Sequence, residues 1–248
     1  MMGVVDETQV KVVVVTGGSR GIGAAVARRF AADGHRVVIG YRSDHAAAEA
    51  MVGELGGPDR CLAVRADIAR PDDVARLASG AAERFGAIDV LINCAAIGPY
   101  RALGAMDADF IRPILETNIM GTVLMTQAAL AHMPDGGRIV NFASALAYRP
   151  IPTSSVYSAT KAAVVTLTQA FAKELGPRKI TVNAIAPGVI ETDMTTKIIA
   201  ERGEQIVAMT PLGRIGQTDD IAGIAAFLAS AEAGWITGRT IIADGGVT

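Results

Sequence analysis

The chain has 248 residues, a formal net charge of −2 and a mean hydropathy of +0.35. Its Lys and Arg residues are spread along the chain, which argues against nucleic acid as a partner. Two cysteines, Cys61 and Cys94, make no disulfide framework and suit a reducing compartment. The start, Met1 to Val10, lacks the features of a signal peptide, and no run approaches the roughly 18 apolar residues of a membrane span. We therefore expect a cytoplasmic protein that does not bind a membrane.

Short apolar runs, many of them β-branched, alternate along the chain with helix-length segments. Runs that are apolar on both faces are typical of buried parallel strands. Strands are predicted at Lys11–Val15, Arg36–Gly40, Cys61–Val64, Val90–Asn93, Arg138–Phe142, Thr181–Ala186 and Thr240–Ala243. Helices are predicted at Ile22–Asp33, Asp44–Leu55, Pro71–Phe85, Ala108–Met133, Tyr157–Leu175 and Asp219–Leu228. This order predicts one doubly wound, Rossmann-like α/β domain over residues 1–248, with a seven-stranded, mostly parallel sheet and helices on both faces.

Three local signals add detail to this outline. Pro113 lies inside the long fourth helix and marks either its start or a kink. Thr218 precedes the last helix and is predicted to be its N-cap. The segment Gly188–Gly216 is polar, contains Gly and Pro, and is longer than a usual α/β connection. Such an insertion after a strand predicts a substrate lid near residues 189–212.

A glycine-rich turn, Thr16-Gly17-Gly18-Ser19-Arg20-Gly21-Ile22-Gly23, joins the first strand to the first helix. Glycine permits a sharp turn and a close approach of the backbone to a pyrophosphate. The helix N-terminus then presents free N–H groups to the anion. The spacing differs from the common GxGxxG, and an ordinary tight turn would also use glycine. Its place between the first strand and the first helix nevertheless favours dinucleotide binding.

The end of the second strand indicates which dinucleotide is bound. NAD-binding folds place an acid there for the ribose 2′-hydroxyl, whereas this chain has Tyr41 followed by Arg42. With Arg20 in the glycine turn, two guanidiniums and no acid suit a 2′-phosphate, so NADP(H) is expected to be preferred over NAD(H). The alternative is that both arginines are solvated surface residues. Asp67, after the third strand, either accepts a hydrogen bond from adenine or caps the following helix.

Together with this turn, two further motifs resemble the classical short-chain dehydrogenase/reductase family. They are Tyr157-Ser158-Ala159-Thr160-Lys161 and Asn183-Ala184-Ile185-Ala186-Pro187-Gly188, and the likeness runs from Lys11 to Gly246. The resemblance implies an oxidoreductase (EC 1.1.1.-) that interconverts a ketone and a secondary alcohol, most similar to 3-oxoacyl-type ketoreductases. Alternatives are a catalytically silent NADP(H)-binding sensor, or an NAD-dependent sugar, polyol or hydroxysteroid dehydrogenase.

Four residues are predicted to be catalytic. Tyr157 and Lys161 share one helix face, and a nearby ammonium is expected to lower the phenol's pKa from about 10 by roughly 1 to 3. Tyr157 would then exchange a proton with the substrate oxygen, and Ser144 would hold that oxygen. The resemblance implies that Lys161 also binds the nicotinamide ribose and that Asn118 positions a proton-relaying water. Asn118 could instead satisfy a helix distortion, and Ser144 could be a strand-end cap.

The remaining dinucleotide contacts come from the resemblance. Relatives usually carry Asn-Asn-Ala-Gly where this chain has Asn93-Cys94-Ala95-Ala96, so Asn93 matches and Cys94 and Ala96 depart. Ile190 and Thr192 are implied to face the nicotinamide carboxamide, although Thr192 could cap the helix beyond. The full cofactor-binding set is Gly17, Ser19, Arg20, Gly21, Ile22, Gly23, Tyr41, Arg42, Asp67, Ile68, Asn93, Tyr157, Lys161, Pro187, Gly188, Ile190 and Thr192. No metal site is predicted.

The substrate is expected to be a small-molecule ketone or alcohol, either free or carrier-linked. The candidate walls of its pocket are mostly apolar: Cys94, Tyr100, Tyr148, Met194 and Ile198. Helices Ala108–Met133 and Tyr157–Leu175 carry apolar surface beyond what the site uses. The resemblance implies that they pair in a homotetramer or a homodimer. Burial inside one subunit is the alternative.

Overall fold

The structure is a computed structural model that describes residues 10–248, so the signal-peptide prediction falls almost entirely on residues outside it. The strands are β1 (Val12–Thr16), β2 (Arg36–Tyr41), β3 (Cys61–Arg65), β4 (Val90–Asn93), β5 (Arg138–Phe142), β6 (Thr181–Pro187) and β7 (Thr240–Ala243). The helices are α1 (Gly21–Ala32), α2 (His45–Glu54), α3 (Pro71–Phe85), α4 (Ala108–Leu115), α5 (Gly121–Leu130), α6 (Ser155–Leu175), α7 (Thr196–Met209) and α8 (Thr218–Ala229).

The strands form one seven-stranded sheet in the order β3-β2-β1-β4-β5-β6-β7, and every pairing is parallel. The predicted doubly wound sheet is therefore confirmed. Each predicted strand lies within one residue of the observed bounds. The order reverses between β1 and β4, which are neighbours although two strands separate them along the chain. Ligands of such sheets bind in the crevice outside the carboxyl ends of the strands at this switch point.

Strand β1 shows why its sequence is apolar on both faces. Val13 and Val15 pack into a cluster with α1, α2 and α8 on one side of the sheet. Val12 and Val14 pack into a second cluster with α3, α5 and α6 on the other side. All four valines are at most 3% exposed. Because successive side chains of a strand point to opposite faces, a strand covered on both sides needs apolar residues at every position.

The prediction of one long helix over Ala108–Met133 is wrong in its details. It consists of α4, a widened π-type turn at Glu116–Met120, and α5, which ends at Leu130. Pro113 neither starts α4 nor coincides with the irregular turn, which begins three residues later. Such turns are frequent at functional sites, and this one contains Asn118.

The prediction that Thr218 caps the last helix is also wrong. Thr218 is the first residue of α8, and Gln217 is its N-cap. The Asp220 amide donates to the Gln217 carbonyl at 3.1 Å, and the Asp220 carboxylate accepts from the Gln217 amide at 2.7 Å. This reciprocal pair satisfies two amide donors at the helix start, which a threonine one residue later could not do.

The segment predicted as a lid contains α7, which has no fully buried residue. Its backbone leaves helical geometry at Arg202. Across residues 10–248, no helix combines the length and apolar character needed to cross a bilayer. Nor does that range hold a cluster of three or more His, Cys, Asp or Glu side chains suited to a metal ion.

Candidate active site

The glycine turn between β1 and α1 has a geometry that side chains would not allow. Gly17 adopts a φ of +68°, and the amides of Gly17 and Gly18 both donate to the Gly40 carbonyl, at 2.8 and 3.2 Å. A Cβ on Gly23 would lie 2.2 Å from the Gly17 oxygen. The turn therefore folds tightly onto the first turn of α1. The first amides of that helix have no carbonyl partner within it and suit a phosphate.

The segment after β6 lies against this turn. A Cβ placed on Gly21 would be 3.4 Å from the Thr192 methyl carbon. The Thr192 amide donates to the Thr195 hydroxyl at 3.0 Å, and Thr195, rather than Thr192, is the N-cap of α7. Ile190 is buried and its backbone bridges to Gly216. The structure thus brings Thr192 beside the glycine turn and does not use it as the helix cap.

Tyr157, Lys161 and Ser144 converge at the carboxyl end of β5. Tyr157 and Lys161 lie one turn apart on α6, and the Lys161 Nζ is 5.7 Å from the centre of the Tyr157 ring. Lys161 is 4% exposed, and its ammonium donates to the Phe142 carbonyl at 2.7 Å. Ser144 follows Phe142 by two residues, and its hydroxyl lies close enough to the Tyr157 phenol to act on the pKa of that phenol. Ser144 also accepts from the Leu146 amide at 3.2 Å, so it caps a short turn as well.

The electrostatics of this group differ from the prediction. Burial raises the pKa of Tyr157 well above its ordinary value, Tyr100 raises it further, and Ser144 only partly offsets this. The expected lowering by Lys161 is therefore wrong: burial dominates, and it lowers the pKa of Lys161 itself to about 8. At neutral pH the phenol is protonated and the amine is charged.

Asn118 ties three elements of the site together. Its Oδ1 accepts from the Ile97 amide at 2.9 Å, and its Nδ2 donates to the Ile97 carbonyl at 2.9 Å. The same Nδ2 donates to the Thr160 hydroxyl at 3.0 Å, and that hydroxyl donates to the Tyr157 carbonyl at 2.7 Å. Both amide donors of Asn118 are thus occupied, and they hold the chain after β4 against α6.

Aromatic and apolar groups surround the Tyr157 phenol. The Tyr100 and Tyr157 ring centres are 6.0 Å apart with the rings tilted by 49°. Sequence reasoning did not single out Gly98, yet a Cβ there would be 3.1 Å from the Tyr157 ring and 3.6 Å from the Met194 sulfur. Cys94 lies close enough to act electrostatically on Tyr157, and burial raises the pKa of its thiol to about 12. Of the predicted pocket walls, Tyr100, Met194 and Cys94 therefore lie around the phenol.

A cleft of about 350 Å³ lies at the carboxyl ends of β2 and β3. We name it the arginine cleft, and its lining residues are Arg42, Arg65, Asp67, Arg70, Asp73 and Arg76. Only Arg42 and Asp67 were predicted. The others come from β3 and from the start of α3, and their convergence is a consequence of the tertiary fold. Four guanidiniums around one cleft favour an anionic group there.

Comparisons with known proteins show which proteins this chain resembles in sequence and in structure. A family model described as enoyl-(acyl carrier protein) reductase matches residues 17–248. An uncharacterized oxidoreductase of Methylorubrum extorquens is 44% identical over 243 residues, 96% of this chain and 97% of that protein. A 3-oxoacyl-(acyl-carrier-protein) reductase of Synechocystis sp. is 40% identical, covering 96% of both chains. The crystal structure of a short-chain dehydrogenase from Burkholderia cenocepacia in complex with NADP has a TM-score of 0.91 at 39% identity, covering 98% of this chain and 99% of that one. This chain belongs to the short-chain dehydrogenase/reductase family.

Several groups of the site residues predicted for this short-chain dehydrogenase/reductase lie at the carboxyl edge of the sheet. They are the glycine turn, the segment from Pro187 to Thr192, and the group Ser144, Tyr157 and Lys161. Gly188 lies so close to β7 that a Cβ there would be 2.7 Å from the Asp244 Cβ. The position that follows β6 is therefore restricted to glycine.

Three predicted cofactor residues have side chains in the interior. The Tyr41 hydroxyl pairs with the His45 ring nitrogen at 2.8 Å, and Ile68 packs against the start of α5 at Gly121. The Asn93 amide donates to Thr126 and to Asn141, at 3.1 and 2.9 Å. Only backbone atoms of Tyr41, Ile68 and Asn93 are left to contact a dinucleotide.

Two other predicted cofactor residues of this dehydrogenase/reductase, Arg20 and Asp67, differ in their relation to the arginine cleft. Arg20 is exposed at the N-cap of α1 and is not among the residues that line the arginine cleft. Asp67 lines the cleft while its Oδ1 accepts from the Ala69 amide at 3.1 Å, so it stabilises the local turn rather than the start of α3.

Proposed function

We propose that this protein is an NADP(H)-dependent ketoreductase that interconverts a ketone and a secondary alcohol, of the 3-oxoacyl or a related type. The observation that carries the proposal is the convergence of a protonated phenol, a hydroxyl and a buried ammonium. These groups belong to Tyr157, Ser144 and Lys161, beside a turn built for a pyrophosphate. The arrangement supports proton transfer to an oxygen atom held between Tyr157 and Ser144.

Each side chain has a distinct role in the reduction. The bound cofactor supplies the hydride. Tyr157 is protonated at neutral pH, since burial raises its pKa, and it gives its proton to the carbonyl oxygen. Ser144 donates a hydrogen bond to the same oxygen and stabilises the charge that develops there. Lys161, held by the Phe142 carbonyl, places a positive charge near the phenol and stabilises the phenolate that remains.

The residues of the crevice fit NADP(H). Gly17, Gly21 and Gly23 would hold the pyrophosphate at the start of α1, and Ile190 and Thr192 would face the nicotinamide. The arginine cleft lies where the adenosine end would extend, and β2 ends at Tyr41 followed by Arg42, with no acid at either position. The relative from Burkholderia cenocepacia was crystallised with NADP, which supports the same choice.

The substrate class is proposed from the walls of the site. Tyr100, Met194 and Cys94 offer mainly apolar surface next to the phenol, which suits an alkyl or aromatic ketone. The Synechocystis relative is a 3-oxoacyl-(acyl-carrier-protein) reductase, which favours a 3-oxoacyl group, free or carried on a protein. The segment 189–212, with the exposed helix α7, is proposed as the lid over this substrate.

The decisive experiment follows NADPH consumption with a panel of 3-oxoacyl thioesters and simple ketones. Wild type, Tyr157→Phe and the control Trp235→Phe are compared, since Trp235 is an aromatic residue that is 99% exposed and lies outside the site. Loss of a general acid costs about 10²–10⁴-fold in kcat, so Tyr157→Phe should lose activity by such a factor while still binding NADPH. Trp235→Phe should stay near the wild-type rate. If wild type and Tyr157→Phe are equally inert while both bind NADPH, the protein is a dinucleotide sensor and the reductase proposal fails.

The assembly is proposed from apolar surface on the helices. Leu115 at the end of α4 and Met120 in the π-type turn are about 40% exposed. We propose that a second copy of the chain covers this face in a homodimer or homotetramer. Light scattering coupled to gel filtration measures the mass directly, and a monomer at micromolar concentration would contradict the assignment.

A further inference from the structure

The arginine cleft contains four arginines, whereas the sequence argument for NADP(H) used only two, Arg20 and Arg42. Four guanidiniums face two carboxylates there, an excess of two positive charges (4 − 2). A phosphate monoester carries nearly two negative charges at neutral pH. The charge of the cleft therefore matches one terminal phosphate group rather than an uncharged hydroxyl.

Hydrogen bonds within the cleft fix some of its groups and leave others free. Arg76 donates to the Arg65 carbonyl at 2.7 Å and to one Asp73 oxygen at 3.0 Å. The other Asp73 oxygen accepts from the Asp67 amide at 2.9 Å. Arg65 donates through Nε to the Arg42 carbonyl at 3.1 Å. Asp73 is thus fully used by the protein, while the outer nitrogens of Arg65 remain available.

Two guanidiniums of the cleft are uncommitted. Within residues 10–248, the side chains of Arg42 and Arg70 have no hydrogen-bond or ion-pair partner, although the neighbouring Arg65 and Arg76 side chains do. Both are exposed. Arg70 is the N-cap residue of α3, a position where an acceptor side chain would normally serve the helix. Arg70 provides no such cap, so its presence there needs another explanation.

The strand register places the cleft beside the glycine turn. Thr16 of β1 is registered with Gly40 of β2, and Tyr41 of β2 is registered with Arg65 of β3. Adjacent strands are about 4.8 Å apart, so the end of β3 is roughly 10 Å from the turn. An adenosine attached to a pyrophosphate at α1 would extend in this direction, across the end of β2.

We propose that Arg65 and Arg70 are specificity residues that bind the 2′-phosphate of the adenosine together with Arg42. Arg76 is a positioning residue, because it holds the Arg65 backbone and neutralises Asp73. The inference rests on the proposed NADP(H) function and extends it. The preference for NADP(H) over NAD(H) then depends on the β3–α3 segment as well as on the end of β2, whereas the sequence argument used the end of β2 and the glycine turn.

The test measures binding of fragments, so it does not depend on turnover. Calorimetric titrations with adenosine 2′,5′-bisphosphate, 5′-AMP and inorganic phosphate are run on wild type, Arg65→Gln, Arg70→Gln and Arg42→Gln. Arg112→Gln is the matched control, since Arg112 is exposed on α4, outside the cleft. Each cleft substitution should weaken the bisphosphate about tenfold, the effect of one charge-assisted hydrogen bond, and leave 5′-AMP within about twofold. Arg112→Gln should change neither.

Two results would overturn the inference. One is an unchanged ratio of bisphosphate to 5′-AMP affinity in Arg65→Gln and Arg70→Gln while Arg42→Gln lowers it. The other is inorganic phosphate binding as tightly as the bisphosphate, which would make the cleft a general phosphate site. Failure of the proposed function looks different: the bisphosphate binds and responds to the substitutions, but wild type reduces no ketone.

Discussion

Replacing Lys161 with methionine should inactivate the enzyme and remove the unfavourable free energy of burying a charged amine. Lys161 is 4% exposed, and burial lowers its pKa from 10.5 to about 8. That difference corresponds to roughly 3 kcal/mol of unfavourable free energy for the charged amine. Methionine has a similar shape without the charge, but it leaves the Phe142 carbonyl without its donor, at a cost of about 1–3 kcal/mol. The net change at neutral pH is a stabilisation of about 1 kcal/mol, or about 3 °C in Tm.

The pH dependence of the free energy of unfolding gives a more specific test than its value at neutral pH. Because the folded-state pKa of Lys161 is lowered, the unfolded chain binds more protons than the folded chain between about pH 8 and the ordinary value of 10.5. Wild-type stability therefore rises across this window relative to the variant, which has no group to titrate. Most of the cost, roughly 2 kcal/mol, should disappear between about pH 7 and pH 10.

Urea unfolding of wild type and Lys161→Met without added dinucleotide, at several pH values, measures this difference. Titrations elsewhere in the chain are common to both proteins and cancel. A stability difference between the two proteins that stays constant from neutral to alkaline pH would show that folding does not lower the pKa of Lys161, and it would refute this prediction. NADPH consumption in the same preparations should fall about 10²–10⁴-fold in the variant.

Three other outcomes are expected. The kcat for ketone reduction at saturating NADPH should fall as the pH rises through about 8, since Lys161 then loses its charge; a flat profile to pH 10 would contradict this. Gly23→Ala should lose NADPH binding, measured by fluorescence titration, because its Cβ would lie 2.2 Å from the Gly17 oxygen; the same change at Gly104, where the space is open, should bind normally. Cys61 and Cys94, with pKa values of about 12, should resist iodoacetamide at pH 8 in the native protein and react after denaturation, as followed by mass spectrometry; rapid native labelling would contradict the raised thiol pKa values.

Much of the architecture follows from patterns only a few residues long. The strands were placed to within a residue because burial on both faces demands continuous apolar runs, and such runs stop abruptly at the carboxyl edge. The Tyr157–Lys161 pair was recognisable since side chains one turn apart share a helix face. These features depend on neighbours in the sequence, so the sequence alone reveals them.

Other features depend on contacts between distant segments. The π-type turn forms where Asn118 reaches Ile97, and nothing in the local sequence around Pro113 announces that contact. The direction of the Tyr157 pKa depends on how much solvent the surrounding fold removes, which spacing along a helix does not reveal. The arginine cleft likewise assembles residues that follow two strands and begin a helix.

Helix α7 contributes no fully buried side chain to either apolar cluster. Substitutions along it therefore have little effect on the free energy of unfolding, because surface changes usually stay within about 0.5 kcal/mol. A family built on this sheet is free to diversify that stretch rapidly while the core changes slowly. Libraries that vary this helix should therefore contain few members that fail to fold.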